Sequence, residues 1–147
     1  MKILTKTLEF QTKGEFDFID FTEQIQPFVI ETKIKNGLIN IQSLHTTAAL
    51  ILNENEPLLL EDFKAHLEKI SPKDLHYNHN DFSRRTVNVC EEECANGHSH
   101  CQTLHLPSSL TLNIIDGNLQ LGQWQRIFLV ELDRAKLRKI QIQVMGE

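Results

Sequence analysis

Polar and apolar residues alternate over residues 2–11, with Ile3, Thr5, Thr7 and Glu9 two residues apart. That period predicts a half-buried strand. The period then lengthens. Phe18, Phe21, Ile25, Phe28 and Val29 recur at three- and four-residue steps, which predicts a helix over 16–35 with Asp20 as a candidate N-cap. Pro27 sits inside this pattern, so a kink or an early stop is expected. Gly37 restarts the chain as a strand that runs through Leu44 to His45, and a second strand, Ala48 to Leu52, follows after a few residues. A helix is predicted over 56–70, with Leu59, Leu60, Phe63, Leu67 and Ile70 in one stripe. Pro57 stands early, where its missing N–H costs nothing, Asn55 is the expected cap, and Pro72 closes the segment.

Residues 73–97 show no period and carry Asn78, Asn80, Asp81 and Asn96-Gly97. A loop of that length in a small domain is usually functional or mobile. Strand signals return over Ser109–Ile115. Asp116-Gly117-Asn118 supplies a turn, and Leu119-Gln120-Leu121 begins the return strand. Arg126–Leu132 and Lys139–Met145 read as two further strands. The pattern is of α+β class: one domain over 1–147, mostly antiparallel strands with two helices.

A chain of 147 residues can bury a real core. Its net charge is −5 and no basic stripe is visible, which excludes a nucleic-acid binder that works by neutralising phosphates. No run approaches 18 apolar residues, so no membrane span is expected, and the first residues lack the apolar centre of a signal peptide. A cytoplasmic location is the expectation. Cys90, Cys94 and Cys101 are odd in number, which argues against a closed disulfide framework. They read as small buried hydrophobes or as part of a Cys/His metal set with His98, although the usual two-residue knuckle is absent.

Five of the seven histidines, His76, His79, His98, His100 and His105, lie within thirty residues, and His45 ends a strand. Neutral imidazole is the commonest protein metal ligand and the usual acid–base group near neutrality. Two readings stay open: a divalent-metal site, or partly exposed histidines with hydrogen-bonding roles. Among carboxylates, Glu54 follows a strand and could serve as a general base, and Glu131 closes an otherwise apolar strand, where a charge is costly unless paired or facing a cleft. Both are candidate catalytic groups. Trp124 reads as core or as an aromatic wall for a flat ligand. Asn53, Gln125 and Arg126 are the candidate ligand-binding residues beside it, with a pair to Glu131 as the alternative for Arg126. No Walker-type phosphate loop is present, so a phosphate would have to be gripped by a metal, by backbone amides, or by Arg84, Arg85 and Arg126.

Three stretches carry a family resemblance. The first is His45-Thr46-Thr47-Ala48-Ala49-Leu50-Ile51-Leu52-Asn53-Glu54-Asn55. The second is Asn96-Gly97-His98-Ser99-His100 followed by Ser108-Ser109-Leu110. The third is Asp116-Gly117-Asn118-Leu119-Gln120-Leu121-Gly122-Gln123-Trp124-Gln125 followed by Glu131. Together with the closing Val144-Met145-Gly146-Glu147 they resemble the YjbQ family nearly end to end. The resemblance implies an α+β domain built around a β-sandwich, a homotrimer, and a weak or secondary thiamine-phosphate synthase-like activity on a phosphorylated small molecule. It places family histidines at His45, His79 and His100, the candidate ligands of an open zinc-type site, or of magnesium where phosphate chemistry is served. Gln102 stands where some relatives carry a basic residue, which weakens a phosphate clamp at that point.

Overall fold

Eight strands in two antiparallel sheets frame the molecule, and the computed structural model describes all 147 residues. In chain order the strands are β1 (Lys2–Gln11), β2 (Phe18–Asp20), β3 (Gly37–Ser43), β4 (Ala48–Asn53), β5 (Ser109–Ile115), β6 (Asn118–Leu119), β7 (Arg126–Glu131) and β8 (Leu137–Gly146). One sheet runs β1-β8-β3-β5-β6 and the other β2-β7-β4. Alternation decides the facing. Ile140, Ile142 and Val144 of β8 and Ile39 and Ile41 of β3 meet Leu50, Ile127 and Leu129 from the smaller sheet, all buried. The opposite residues of the smaller sheet, Ala49, Phe128 and Val130, pack against the stripe of helix α2 (Pro57–Ile70) through Leu67 and Leu60. The arrangement is a two-sheet sandwich with one helix on its outer face. No helix is long and apolar enough to cross a membrane.

The strand boundaries read from the sequence stand within two residues. The helices differ more. Helix α1 spans Thr22–Thr32 rather than 16–35, because Phe18–Asp20 pairs with β7 as a strand. Asp20 turns the chain between the two by accepting from the backbone N–H and hydroxyl of Thr22. Pro27 is accommodated within the helix. The N-cap of α2 is Glu56, whose carboxylate accepts from Leu58 and Leu59 N–H; Asn55 instead donates to Asp20. A third helix, α3 (Gly97–Thr103), lies where no period was visible, and a single 3-10 turn spans Asn78–Asn80. Trp124 is 64% exposed, so its core reading fails. Its surroundings are the turn before β7. Cys90 and Cys94 are exposed and only Cys101 is partly covered, so the three are free thiols rather than core hydrophobes.

Candidate functional site

The β3–β4 and β7–β8 connections meet at one end of the sandwich. Between them and the 78–100 segment opens a cleft of about 890 Å³. His45 enters from the β3–β4 connection, His79 from the 3-10 turn and His100 from α3, so all three family histidines line one cleft. His79 and His100 touch edge to face, with ring centroids 4.6 Å apart. Gly97 makes that contact possible: it is buried, and a Cβ there would stand 2.5 Å from Tyr77 Cβ. Its N–H donates to Asn80 Oδ1 at 2.9 Å, which ties the start of α3 to the turn bearing His79.

The lining is strongly cationic although the chain is acidic overall. Arg84, Arg85, Arg134, Lys136 and Arg138 face the cleft against one carboxylate, Glu93. Glu93 is spent on Arg85, Lys136 is paired with Asp133, Arg138 with Glu131 and Arg84 with Asp81 at 3.9 Å, whereas Arg134 donates to the Glu92 carbonyl at 3.0 Å with no carboxylate of its own. The cleft therefore carries net positive charge. Arg84 and Arg85 were legible as phosphate grips. Arg134, Lys136 and Arg138 were not named, although Arg134-Ala135-Lys136-Leu137-Arg138 places cations on alternate residues directly after an apolar strand.

Glu131 lies beneath the floor of the cleft, fully buried. Its carboxylate accepts from Thr12 Oγ1 at 2.8 Å, Arg138 Nε at 2.6 Å, Arg138 Nη2, and the Asp133 N–H at 2.9 Å. Those four donors take up its lone pairs, and the arrangement holds the Arg138 guanidinium in place. Arg138 also donates to Thr47 Oγ1 at 2.9 Å, and is itself 4% exposed.

The remaining candidates sit elsewhere. Asn53 pairs with Arg126 at the far end of the β4–β7 ladder, opposite the end that carries the cleft. Arg126 is bound there by Asp20 and Glu23, both at 2.8 Å. Gln125 closes its own turn by accepting from Gly122 N–H, and neither it, Trp124 nor Glu54 lines the cleft. Asp20 shows the strength of the Arg126 cluster: burial opposes its ionisation, yet hydrogen bonds from Arg126, Thr22 and Asn55 hold its pKa at about 2.

Electrostatics and hydrogen bonding separate the histidines. His45 Nε2 accepts the Lys139 N–H at 2.7 Å, so in the neutral ring the one lone pair is used and Nδ1 carries the proton. His79 Nε2 is buried without a hydrogen bond, with Glu93 Oε1 3.8 Å away. The sequence-based set of three metal ligands is therefore not assembled in this conformation: no three His, Cys, Asp or Glu side chains stand close enough to hold an ion between them. His98 is set apart, buried against Glu15 at 2.9 Å, with Lys73 on the other carboxylate oxygen.

Burial, then the Arg138 charge, lowers the pKa of His45; burial, then His79, lowers that of His100. Both values lie below the ordinary 6.5, so the unfolded chain binds protons that the folded chain does not. Stability should hold at higher pH and fall as the pH drops below about 6.5. The melting temperature measured from pH 8 to pH 5 should show this fall, flattened in the His45→Gln/His100→Gln double variant. An equal fall in wild type and variant would assign it to other groups.

The family model described as UPF0047 protein YjbQ-like matches residues 6–147. A UPF0047 protein of Methanothermobacter thermautotrophicus is 34% identical over 147 residues, covering 100% of this chain and 95% of the relative. YugU of Bacillus subtilis is 28% identical, covering 97% of this chain and all of the relative. The crystal structure of a Sulfolobus solfataricus protein, described as YbjQ-like and of unknown function, superposes with a TM-score of 0.89 at 30% identity, covering 99% of both chains. With matched sequence over nearly its whole length and the same fold, the chain belongs to the YjbQ-like UPF0047 family.

Proposed function

We propose that the cleft binds a phosphate-bearing small molecule and assists chemistry at that phosphate. The single observation that carries this is the excess of cations over carboxylates in a cleft that also holds three histidines. Anionic oxygens gain most from fixed guanidinium donors that need no reorganisation on binding. Arg134 and Arg138 would hold the anion, and His45 would donate through Nδ1–H. With the carboxylates around the cleft already paired to cations and Glu54 outside it, proton transfer falls to the imidazoles.

His79 and His100 are the residues that would hold a divalent ion, zinc or magnesium. The buried His79 Nε2, which makes no hydrogen bond and stands 3.8 Å from Glu93 Oε1, supports that assignment. Such an ion would supply further positive charge to a departing phosphate. The thiamine-phosphate synthase-like transfer implied by the resemblance is one reaction of this kind, since it releases pyrophosphate. Three free thiols suit a reducing compartment such as the cytoplasm.

Calorimetric titration with pyrophosphate, with and without magnesium or zinc, tests the reading. We expect binding that weakens by about 10- to 100-fold in Arg134→Ala and His79→Ala, the scale of a lost charged hydrogen bond. Arg126→Ala, at the far end of the sheet, should leave it unchanged. Absence of binding at millimolar pyrophosphate under all three conditions would overturn the proposal.

The homotrimer is a second part of the reading. Strand register places Ile3 beside Met145 and Met145 beside Leu38 on the face of the large sheet that no helix covers, and Ile3 and Leu38 stay exposed. The Ile3→Asp/Leu38→Asp variant should shift the light-scattering mass from trimer to monomer. A trimeric variant would place the contact elsewhere.

A further inference from the structure

A second cavity, of about 510 Å³, adjoins the cationic cleft. The two share His45, Thr46 and His100, so these residues form the partition between them. Their chemistries differ. The second cavity offers Leu104, Leu106 and Cys101 with the hydroxyls of Thr46, Thr103 and Ser108, and apart from the two shared imidazoles it has no charged nitrogen or carboxylate. Leu104, just past the end of α3, is 81% exposed, an apolar side chain left to be covered. A bare inorganic anion would sit among the cations of the first chamber and leave the second to water. Small-ligand sites of about 300–1,000 Å³ are mostly apolar with a few convergent polar groups, and the two chambers together supply both halves of that description.

We infer that the substrate class is an organic phosphate ester with an apolar, ring-sized group. Its phosphate lies among Arg134, Lys136 and Arg138, its organic group lies against Leu104, Leu106 and Cys101, and the ester linkage passes His45 and His100. This deepens the anion-binding reading and rests on it. The chambers therefore divide recognition: the cationic side supplies affinity common to all phosphates, and the apolar side selects among esters.

The protein's own cysteines report on the two chambers separately. Cys90 lines the first, Cys101 lines the second, and Cys94 lines neither. Intact protein is alkylated with iodoacetamide, and the rate at each cysteine is read by peptide mass spectrometry, without ligand, with pyrophosphate, and with phenyl phosphate. Pyrophosphate should slow Cys90 at least fivefold and leave Cys101 within twofold. Phenyl phosphate should slow both at least fivefold, with Cys94 unchanged. The Ser108→Trp variant, which fills the second chamber from an exposed position, should weaken phenyl phosphate at least tenfold and leave pyrophosphate within twofold.

Protection of Cys90 alone by phenyl phosphate, or equal protection of both cysteines by pyrophosphate, would overturn the two-chamber assignment while leaving the anion site standing. No protection of Cys90 by either probe would overturn the anion site and this inference together.

Discussion

Replacing Glu131 with alanine is expected to cost about 3–5 kcal/mol of folding stability, among the largest effects any single side chain here can have. The reason is what stays behind. Arg138 is almost wholly buried, and its Nε and one terminal nitrogen donate to Glu131. Removing the carboxylate strands a buried guanidinium and also frees the Thr12 hydroxyl and the Asp133 N–H. For a chain of this size the loss corresponds to a fall in melting temperature of roughly 6–20 °C. Thermal unfolding at neutral pH measures it directly. The double variant Glu131→Leu/Arg138→Met is the instructive control, since a buried pair exchanged for apolar residues of similar volume is often neutral. It should recover most of the melting temperature and still fail to bind pyrophosphate. If Glu131→Ala instead melts like wild type and only loses activity, Glu131 is a reacting group and the structural assignment is wrong.

The second large effect is expected from a single methyl group at Gly97. Its neighbours at 2.5 and 2.8 Å are Tyr77 Cβ and Cγ, atoms close to the backbone that cannot swing away. Gly97→Ala must push the 3-10 turn off α3, a strain of about 1–3 kcal/mol. The turn carries His79 and the helix carries His100, so their edge contact opens. Pyrophosphate affinity should fall about tenfold or more, equivalent to ~1.4 kcal/mol or above. Melting and titration on the same sample separate the two consequences. Unchanged affinity in a folded Gly97→Ala protein would show that the histidine pair is not part of the binding surface.

Several strands were legible because they bury one face, and an alternating face leaves a period of two in the sequence. That signal is local, and β3, β5 and β8 carry it along their length, β1 only at its end. Helix α3 left no such trace. Its seven residues, Gly97–Thr103, include poor helix formers, and its burial comes from side-chain bonds such as Gln102 to the Ser71 carbonyl rather than from an apolar stripe. Phe18 was drawn into the first helix by its spacing from Phe21, but pairing with Val130 outweighed that local period. The histidine cluster was visible as density, and the family pattern picked His45, His79 and His100 from it. What no spacing could reveal is that Lys139 takes the His45 lone pair, or that Glu15, 83 residues upstream, takes His98. Trp124, Gln125 and Arg126 fell on the wrong end of the sheet because a strand read alone does not say which end faces the cleft.

The wall of the cleft formed by residues 81–94 has a consequence for how this protein can change. Apart from the Arg134 bond to Glu92, its hydrogen bonds stay within residues 78–94, with Arg85 locking Glu93 and the Asn88 carbonyl. The two sheets neither support it nor depend on it. Substitutions there can alter which molecules are accepted without drawing on the stability of the sandwich, whereas the Glu131–Arg138 floor admits almost none. The molecule thus separates a fixed foundation from an exchangeable face, and divergence in ligand preference among related chains should concentrate in that one segment.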